Sequence, residues 1–185
     1  MRFRTLISST VAAGIMAFAA TSYADNIAYV NVQDIMNKSS AGKSIKEQLE
    51  AKQKTFRSEV GKKEESLQKM GQELSKEQSV LSASAFDKKV KAFHAKETEA
   101  QKDAQEKGFV LENAKQTSLT ELQKAVFDIV SKISKDKGYS AVLPNTALLY
   151  ADSKLDITNE VLDQLDKNLP KVTVKFKSPS SLNAE

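Results

Sequence analysis

Between Lys43 and Lys137 the chain has no proline, and its apolar residues return in alternating steps of four and three. Proline in a helix interior removes a hydrogen bond and clashes with the preceding turn, so this stretch leaves long helices open. The spacing then selects them. Leu49, Gln53, Phe56, Val60, Lys63, Leu67, Met70, Leu74, Glu77 and Leu81 trace one heptad stripe, and seven of its ten positions are apolar, which satisfies a helical template rather than a strand one. Ile45 extends it a turn earlier. Phe86, Val90, Phe93, Glu97, Ala100, Ala104, Lys107 and Leu111 trace a second stripe, which shifts phase by one residue and continues through Leu119, Leu122, Val126, Ile129 and Ile133. Between the two lies the small, uncharged cluster Ser82-Ala83-Ser84-Ala85. Two stripes joined by so short a break predict an antiparallel helical hairpin over 43–137, with its turn near 82–85.

The seam is uneven. Toward the turn Lys63, Glu77 and Glu97 take positions that want apolar side chains, and Gly61 and Gly71 each cost about 1 kcal/mol of helix propensity against alanine. The outer arm is therefore expected to be soft. At the root the balance reverses: Leu119, Leu122, Ala125, Val126, Phe127, Ile129, Val130 and Ile133 cover more than one helix face, so some of them must meet other elements or another subunit. Charge follows the same division, with 13 basic and 10 acidic residues between 52 and 107. Lys88, Lys89 and Lys91 lie just past the turn. They read either as a solvated helix face or as the first contact with an approaching partner chain or an anionic membrane surface.

The flanks change texture. Ile27-Ala28-Tyr29-Val30-Asn31-Val32 is rich in β-formers and reads as a strand, as does Tyr139-Ser140-Ala141-Val142-Leu143 before Pro144; Ala147-Leu148-Leu149-Tyr150 is a third candidate. Asp156 or Thr158 then caps a short helix carrying Val161, Leu162 and Leu165. Beyond it Val172, Val174 and Phe176 alternate, which fits an edge strand, whereas the following Pro179 and serines fit a mobile tail; both stay open. At the other end Arg2 and Arg4, the apolar run Leu6 to Ala20 and Ser22-Tyr23-Ala24 form a secretory leader, with cleavage expected after Ala24. The expected organisation is a leader (1–24), the first strand and short helix of a body (25–42), the hairpin arm (43–137), two short strands and a C-terminal helix of the body (138–167), and a tail (168–185). The class is mainly α, a coiled-coil arm on a small α+β body.

Little here suggests chemistry. There is no cysteine and one histidine, His94, so neither a disulfide framework nor a metal cluster is available, and a general base would have no orienting partner. Asn37-Lys38-Ser39-Ser40-Ala41-Gly42-Lys43-Ser44 ends like a phosphate-binding loop, but Asn37 stands where the first glycine shapes the cradle, so it reads as a connector. The carboxylates lie along helix faces beside lysines, as Glu59 does with Lys63. No enzyme activity and no cofactor are expected. Loss of Arg2 and Arg4 with the leader would leave 26 basic against 24 acidic residues, too small an excess for nucleic-acid binding.

The order of these pieces, from Ile27-Ala28-Tyr29-Val30-Asn31-Val32 through the lysine-rich hairpin to Tyr139-Ser140-Ala141-Val142-Leu143, Ala147-Leu148-Leu149-Tyr150 and Asp156-Ile157-Thr158-Asn159-Glu160-Val161-Leu162, resembles the Skp (OmpH-like) periplasmic chaperone family. The resemblance spans about Ile27 to Lys167, and its specific part is the flanking strands and the helix start. It implies a homotrimer whose body is built from the short strands and helix bases of three subunits. Ile27, Val30, Val32, Leu119, Leu122, Val126, Ile129, Ile133, Val142 and Leu148 would form the body and subunit-interface core. It further implies three arms enclosing a cavity that holds unfolded outer-membrane β-barrel proteins without ATP. The competing reading is a structural coiled-coil spacer or adaptor of the cell envelope, which would want an anchor and a uniformly packed seam.

Overall fold

A computed structural model describes residues 26–182; the expected leader and its cleavage site lie outside them. The chain runs β1 (Ile27–Val30), α1 (Val32–Lys38), α2 (Ser40–Glu77), α3 (Ala83–Lys137), β2 (Ala141–Pro144), α4 (Thr158–Asn168) and a single turn, α5 (Pro179–Leu182). No helix among the described residues is long and apolar enough to cross a membrane.

Helices α2 and α3 form the antiparallel arm. At 1.5 Å per residue their 38 and 55 residues reach about 57 and 83 Å. Of the α2 stripe only Gln53 is fully exposed; the rest are half-buried against α3. The turn occupies 78–82, a few residues ahead of the expected 82–85, because the Ser82 hydroxyl accepts the Ala85 N–H (3.4 Å) and so starts α3 at Ala83. A side-chain oxygen satisfying one orphan N–H contributes about 1 kcal/mol, which draws Ser84 and Ala85 into the first helical turn. Toward the root the buried face of α3 advances in steps of four through Val110, Ala114, Ser118, Leu122 and Val126. Leu119 is half-exposed instead. The small residues Ala114 and Ser118 let neighbouring elements approach more closely than the bulkier leucine would.

The body is closed by polar contacts between residues far apart in sequence. Strands β1 and β2 pair in parallel, Ile27 opposite Ala141 and Val30 opposite Pro144. Parallel strands need a long crossover, and here the crossover is the entire arm. Asn31 ends β1 and caps α1 by accepting the Asp34 N–H (3.0 Å), while its own N–H donates to Thr158 Oγ1 (2.9 Å). Ser39 caps α2 through the Gly42 N–H (3.1 Å), and Ser40 N–H donates to Asp166 on α4 (2.7 Å). Neither candidate is the cap of α4: the cap position falls on Ile157, which has no side-chain cap bond, and the Asp156 carboxylate just before it accepts the N–H (2.8 Å) and the hydroxyl of Thr158, the first helical residue. Gly138, at φ 72°, ends α3 in the left-handed conformation that glycine adopts without steric cost. Around these contacts Ile35, Ile45, Leu122, Ile133, Val161 and Leu165 are almost fully buried in one core.

The third candidate strand does not form. Asn145–Ala147 make a 3-10 turn, and the chain then runs irregularly through Leu148, Leu149 and Tyr150. Beyond β2, the one further bridge to β1 among the described residues joins Tyr29 to Asp156, past the stretch expected to form the third strand. The tail joins no sheet either. Val172 and Val174 are buried, and the segment docks in extended form on α2, where the Gln48 carboxamide replaces a neighbouring strand.

Candidate interaction surfaces

Three surfaces stand out, and the root of the arm carries the most apolar one. Val30, Leu122, Val126, Ile129 and Ile133 are buried, while Val32 and Val142 pack half-buried against them. Leu119 and Leu148 are half-exposed and Ile27 is 41% exposed, so these three lie at the margin rather than inside. Phe127 on the root of α3, and Leu149 and Tyr150 in the loop after β2, stand in solvent, at 69%, 108% and 87% exposure. Val30, Val32, Val126, Phe127, Val130 and Val142 also line an open apolar hollow of about 320 Å³. An open apolar hollow edged by an exposed phenylalanine is the kind of surface that another chain can cover. Sequence reasoning named much of this list and placed Ile45 on the first stripe, but did not single out Ile35, Ala114 or Ile157 as core.

Midway along the arm, four charged side chains cross the seam. Asp103 receives Lys107 at 2.5 Å and faces Lys63 at 3.0 Å, and Lys107 reaches back to Glu59 at 3.3 Å. The Lys107 hydrogen bond, and then that of Lys63, hold the Asp103 carboxyl below the usual carboxylate range; Asp103 in turn raises Lys107. Lys63 is therefore paired rather than stranded, as is Glu77 with Lys89 (2.6 Å) near the turn. The exposed Glu77–Lys89 pair contributes only about 0–1 kcal/mol, against roughly 1.5–3 for a buried leucine or phenylalanine, so the seam near the turn is closed but weakly held there.

At the tip Val80 is 80% exposed. Of the three lysines beyond it, Lys89 is drawn across the turn to Glu77 and Lys91 pairs with Asp87 (2.8 Å), whereas Lys88 makes no ion pair among the described residues. His94 meets Glu97 at 2.8 Å on an exposed face. No group of His, Cys, Asp and Glu among the described residues is arranged to hold a metal ion.

A long, weakly zipped helical blade set on a small α+β body, with its apolar surface at the root, defines a class of protein that binds other chains. Comparison with known proteins places it more closely. The model of the OmpH family, described as outer membrane protein (OmpH-like), matches residues 26–165. Chaperone protein Skp of Yersinia pestis is 30% identical over 161 residues, covering 86% of this chain and 97% of its own. Chaperone protein Skp of Pectobacterium atrosepticum is 29% identical over 153 residues, covering 82% and 92%. An uncharacterized protein of Aquifex aeolicus is 36% identical over 157 residues, covering 80% and 91%. The crystal structure of a putative outer membrane chaperone (OmpH-like) from Caulobacter crescentus superposes with a TM-score of 0.77 at 15% identity, over 96% of this chain and 97% of that one, and shows the shared fold. The chain belongs to the OmpH-like (Skp) family, and its role is that of a chaperone rather than an enzyme.

Proposed function

We propose that the chain is an ATP-independent holdase of the periplasm, which encloses unfolded outer-membrane β-barrel proteins between the arms of a homotrimer and keeps them from aggregating. The observation that carries this reading is the division of the molecule: an open apolar hollow at the root beside Phe127, exposed Leu149 and Tyr150 in the loop after β2, and a thin blade beyond the root. In the proposed trimer the root patches of three copies cover one another, leaving the blades to project.

A compartment without nucleotide requires capture by many weak contacts and release by competition. Three blades around one client turn weak contacts into avidity, because the second and third form at high effective concentration. A seam closed by marginal ion pairs lets the blades adjust to clients of different size. The excess of basic residues between 52 and 107 steers acidic unfolded chains inward, and Lys88, Lys89 and Lys91 at the tip meet the client or an anionic membrane surface first. The division into body, arm and tail, the cleaved leader and export after Ala24 belong to the same proposal.

The test uses the secreted form. Its mass in solution should be three times that of one chain, and it should suppress aggregation of a urea-unfolded outer-membrane protein on dilution, with no nucleotide present. A stable monomer that leaves aggregation unchanged would instead favour an envelope spacer.

A further inference from the structure

The C-terminal segment beyond residue 165, where the family match ends, sits in a site that reads its backbone. Gln48 on α2 donates from Nε2 to the Val172 carbonyl (2.7 Å) and accepts the Val174 N–H on Oε1 (3.1 Å). A carbonyl only accepts and an N–H only donates, so the orientation of the carboxamide is fixed by its partners. Ser44, one turn earlier, receives the same Nε2 at its carbonyl and hydroxyl, both at 3.0 Å, and steadies the group. Gln48 thus offers the donor and acceptor pair that an adjacent strand would offer. Side chains alternate around it: Val172 and Val174 point into the core at 1% and 6% exposure, while Lys171, Thr173 and Lys175 face water. Phe176 closes the segment beside the Lys52 ammonium, 5.6 Å from its ring centre, and the same ammonium lies 4.6 Å from the centre of Phe56.

These contacts recognise a pattern rather than one sequence. Two main-chain hydrogen bonds, two apolar sockets at alternate residues and an aromatic seat beside a cation accept an extended strand with apolar residues at every second position. Strands of membrane β-barrels alternate in this way. We infer that the cleft at the root of α2, framed by Ser44, Gln48, Lys52 and Phe56, is a binding site for such strands in unfolded clients, and that the chain's own Lys171–Phe176 occupies it at rest as an internal competitor. The inference rests on the holdase reading for the identity of the client, and on the docked tail alone for the existence of the site. Held by a short connection after α4, the tail acts at an effective concentration of about a millimolar, so the site opens only to clients already concentrated between the arms.

Hydrogen exchange on the unaltered chain tests the displacement. Addition of an unfolded outer-membrane β-barrel protein should speed exchange over 171–176 by tenfold or more; unchanged exchange while the client is demonstrably held would overturn the inference and leave the holdase reading standing. A labelled peptide Lys-Val-Thr-Val-Lys-Phe tests the site without any client. It should bind the full chain carrying Val174→Asp at least about tenfold more tightly than the unaltered chain, and a further Gln48→Ala should remove that gain. Equal binding to both chains would overturn the inference even if no client is ever held. Should Val174→Asp fail to fold, the exchange measurement decides alone. Displacement of the peptide by an unfolded polypeptide lacking alternation, as efficiently as by a β-barrel protein, would also count against it.

Discussion

Gly42→Ala is expected to destabilise the protein, although it exchanges the poorer helix former for the better one. A Cβ at this position would stand 1.8 Å from the Met36 carbonyl oxygen and 2.9 Å from its carbon. Both are backbone atoms, so no side-chain rotation relieves the contact, and α1 and α2 must part by more than about an ångström to restore ordinary packing. That parting threatens the Ser39 cap on the Gly42 N–H, worth about 1 kcal/mol, and the burial of Ile35, worth roughly 1.5–3 kcal/mol when complete. Against this, replacing glycine in a helix returns about 1 kcal/mol. The expected net loss is about 1.5–3 kcal/mol, measured by urea unfolding followed by far-UV circular dichroism. Protein concentration must be matched, because assembly adds to apparent stability. Gly61→Ala is the control. Nothing lies within 4 Å of its added methyl group, so only the propensity gain remains and stability should rise by about 0.5–1 kcal/mol. Two identical substitutions on one helix should therefore act with opposite sign. If Gly42→Ala were as stable as the parent, the close crossing of α1 and α2 would be refuted.

Other outcomes follow from single sites. Leu122→Ala, which empties a fully buried position at the root, should cost about 2–5 kcal/mol in the same unfolding measurement, whereas Val80→Ala at the exposed tip should change it by less than about 0.5. Phe127→Asp should lower the solution mass toward that of one chain while leaving the helical signal of the arm; an unchanged mass would separate this patch from assembly. Asp103 titrates below its unfolded value because Lys107 and Lys63 favour its charge, so its contribution to the arm is present above about pH 4 and is lost as the pH falls through the depressed folded value. Hydrogen exchange along the middle of the arm should accordingly quicken only in strong acid, and Asp103→Asn should abolish that pH dependence. Replacement of Lys88, Lys89 and Lys91 by glutamine should slow client capture at low salt and converge with the parent at high salt; equal rates at low salt would remove the tip from the capture step.

The arm was legible in the sequence because its determinants are local and repeat. A heptad stripe states which side chains meet, whatever lies elsewhere in the chain. Yet the stripe misled where residue size mattered more than hydropathy. Leu119 looked like seam, but Ala114 and Ser118 are the residues that let elements approach. Charged seam positions were legible as exceptions but not as pairs, since nothing in the spacing of Lys63 and Asp103 reveals that a hairpin brings them within 3.0 Å. The body was harder because its closures are long-range: β1 waits for β2 across the whole arm, and Asn31 waits for Thr158.

Gln48 is the sharpest case of the same difficulty. On a lysine- and glutamate-rich helix, a glutamine beside Leu49 is indistinguishable from a solvated residue, and an alternating Val-Thr-Val tail has no strand to join. Each feature is uninformative alone. Placed together, the carboxamide supplies the hydrogen bonds that the tail would otherwise leave unmade, and burying an unpaired backbone group costs about 1–3 kcal/mol. That cost would offset much of what burying Val172 and Val174 contributes, so without Gln48 the tail has little reason to dock in this extended form. It follows that Gln48→Leu, which keeps the size and apolar reach of the side chain, should release residues 171–176 to rapid exchange while leaving the unfolding midpoint of the arm near that of the parent. A tail that stayed protected in that variant would show that valine burial alone holds it, and the backbone-reading role of Gln48 would have to be abandoned.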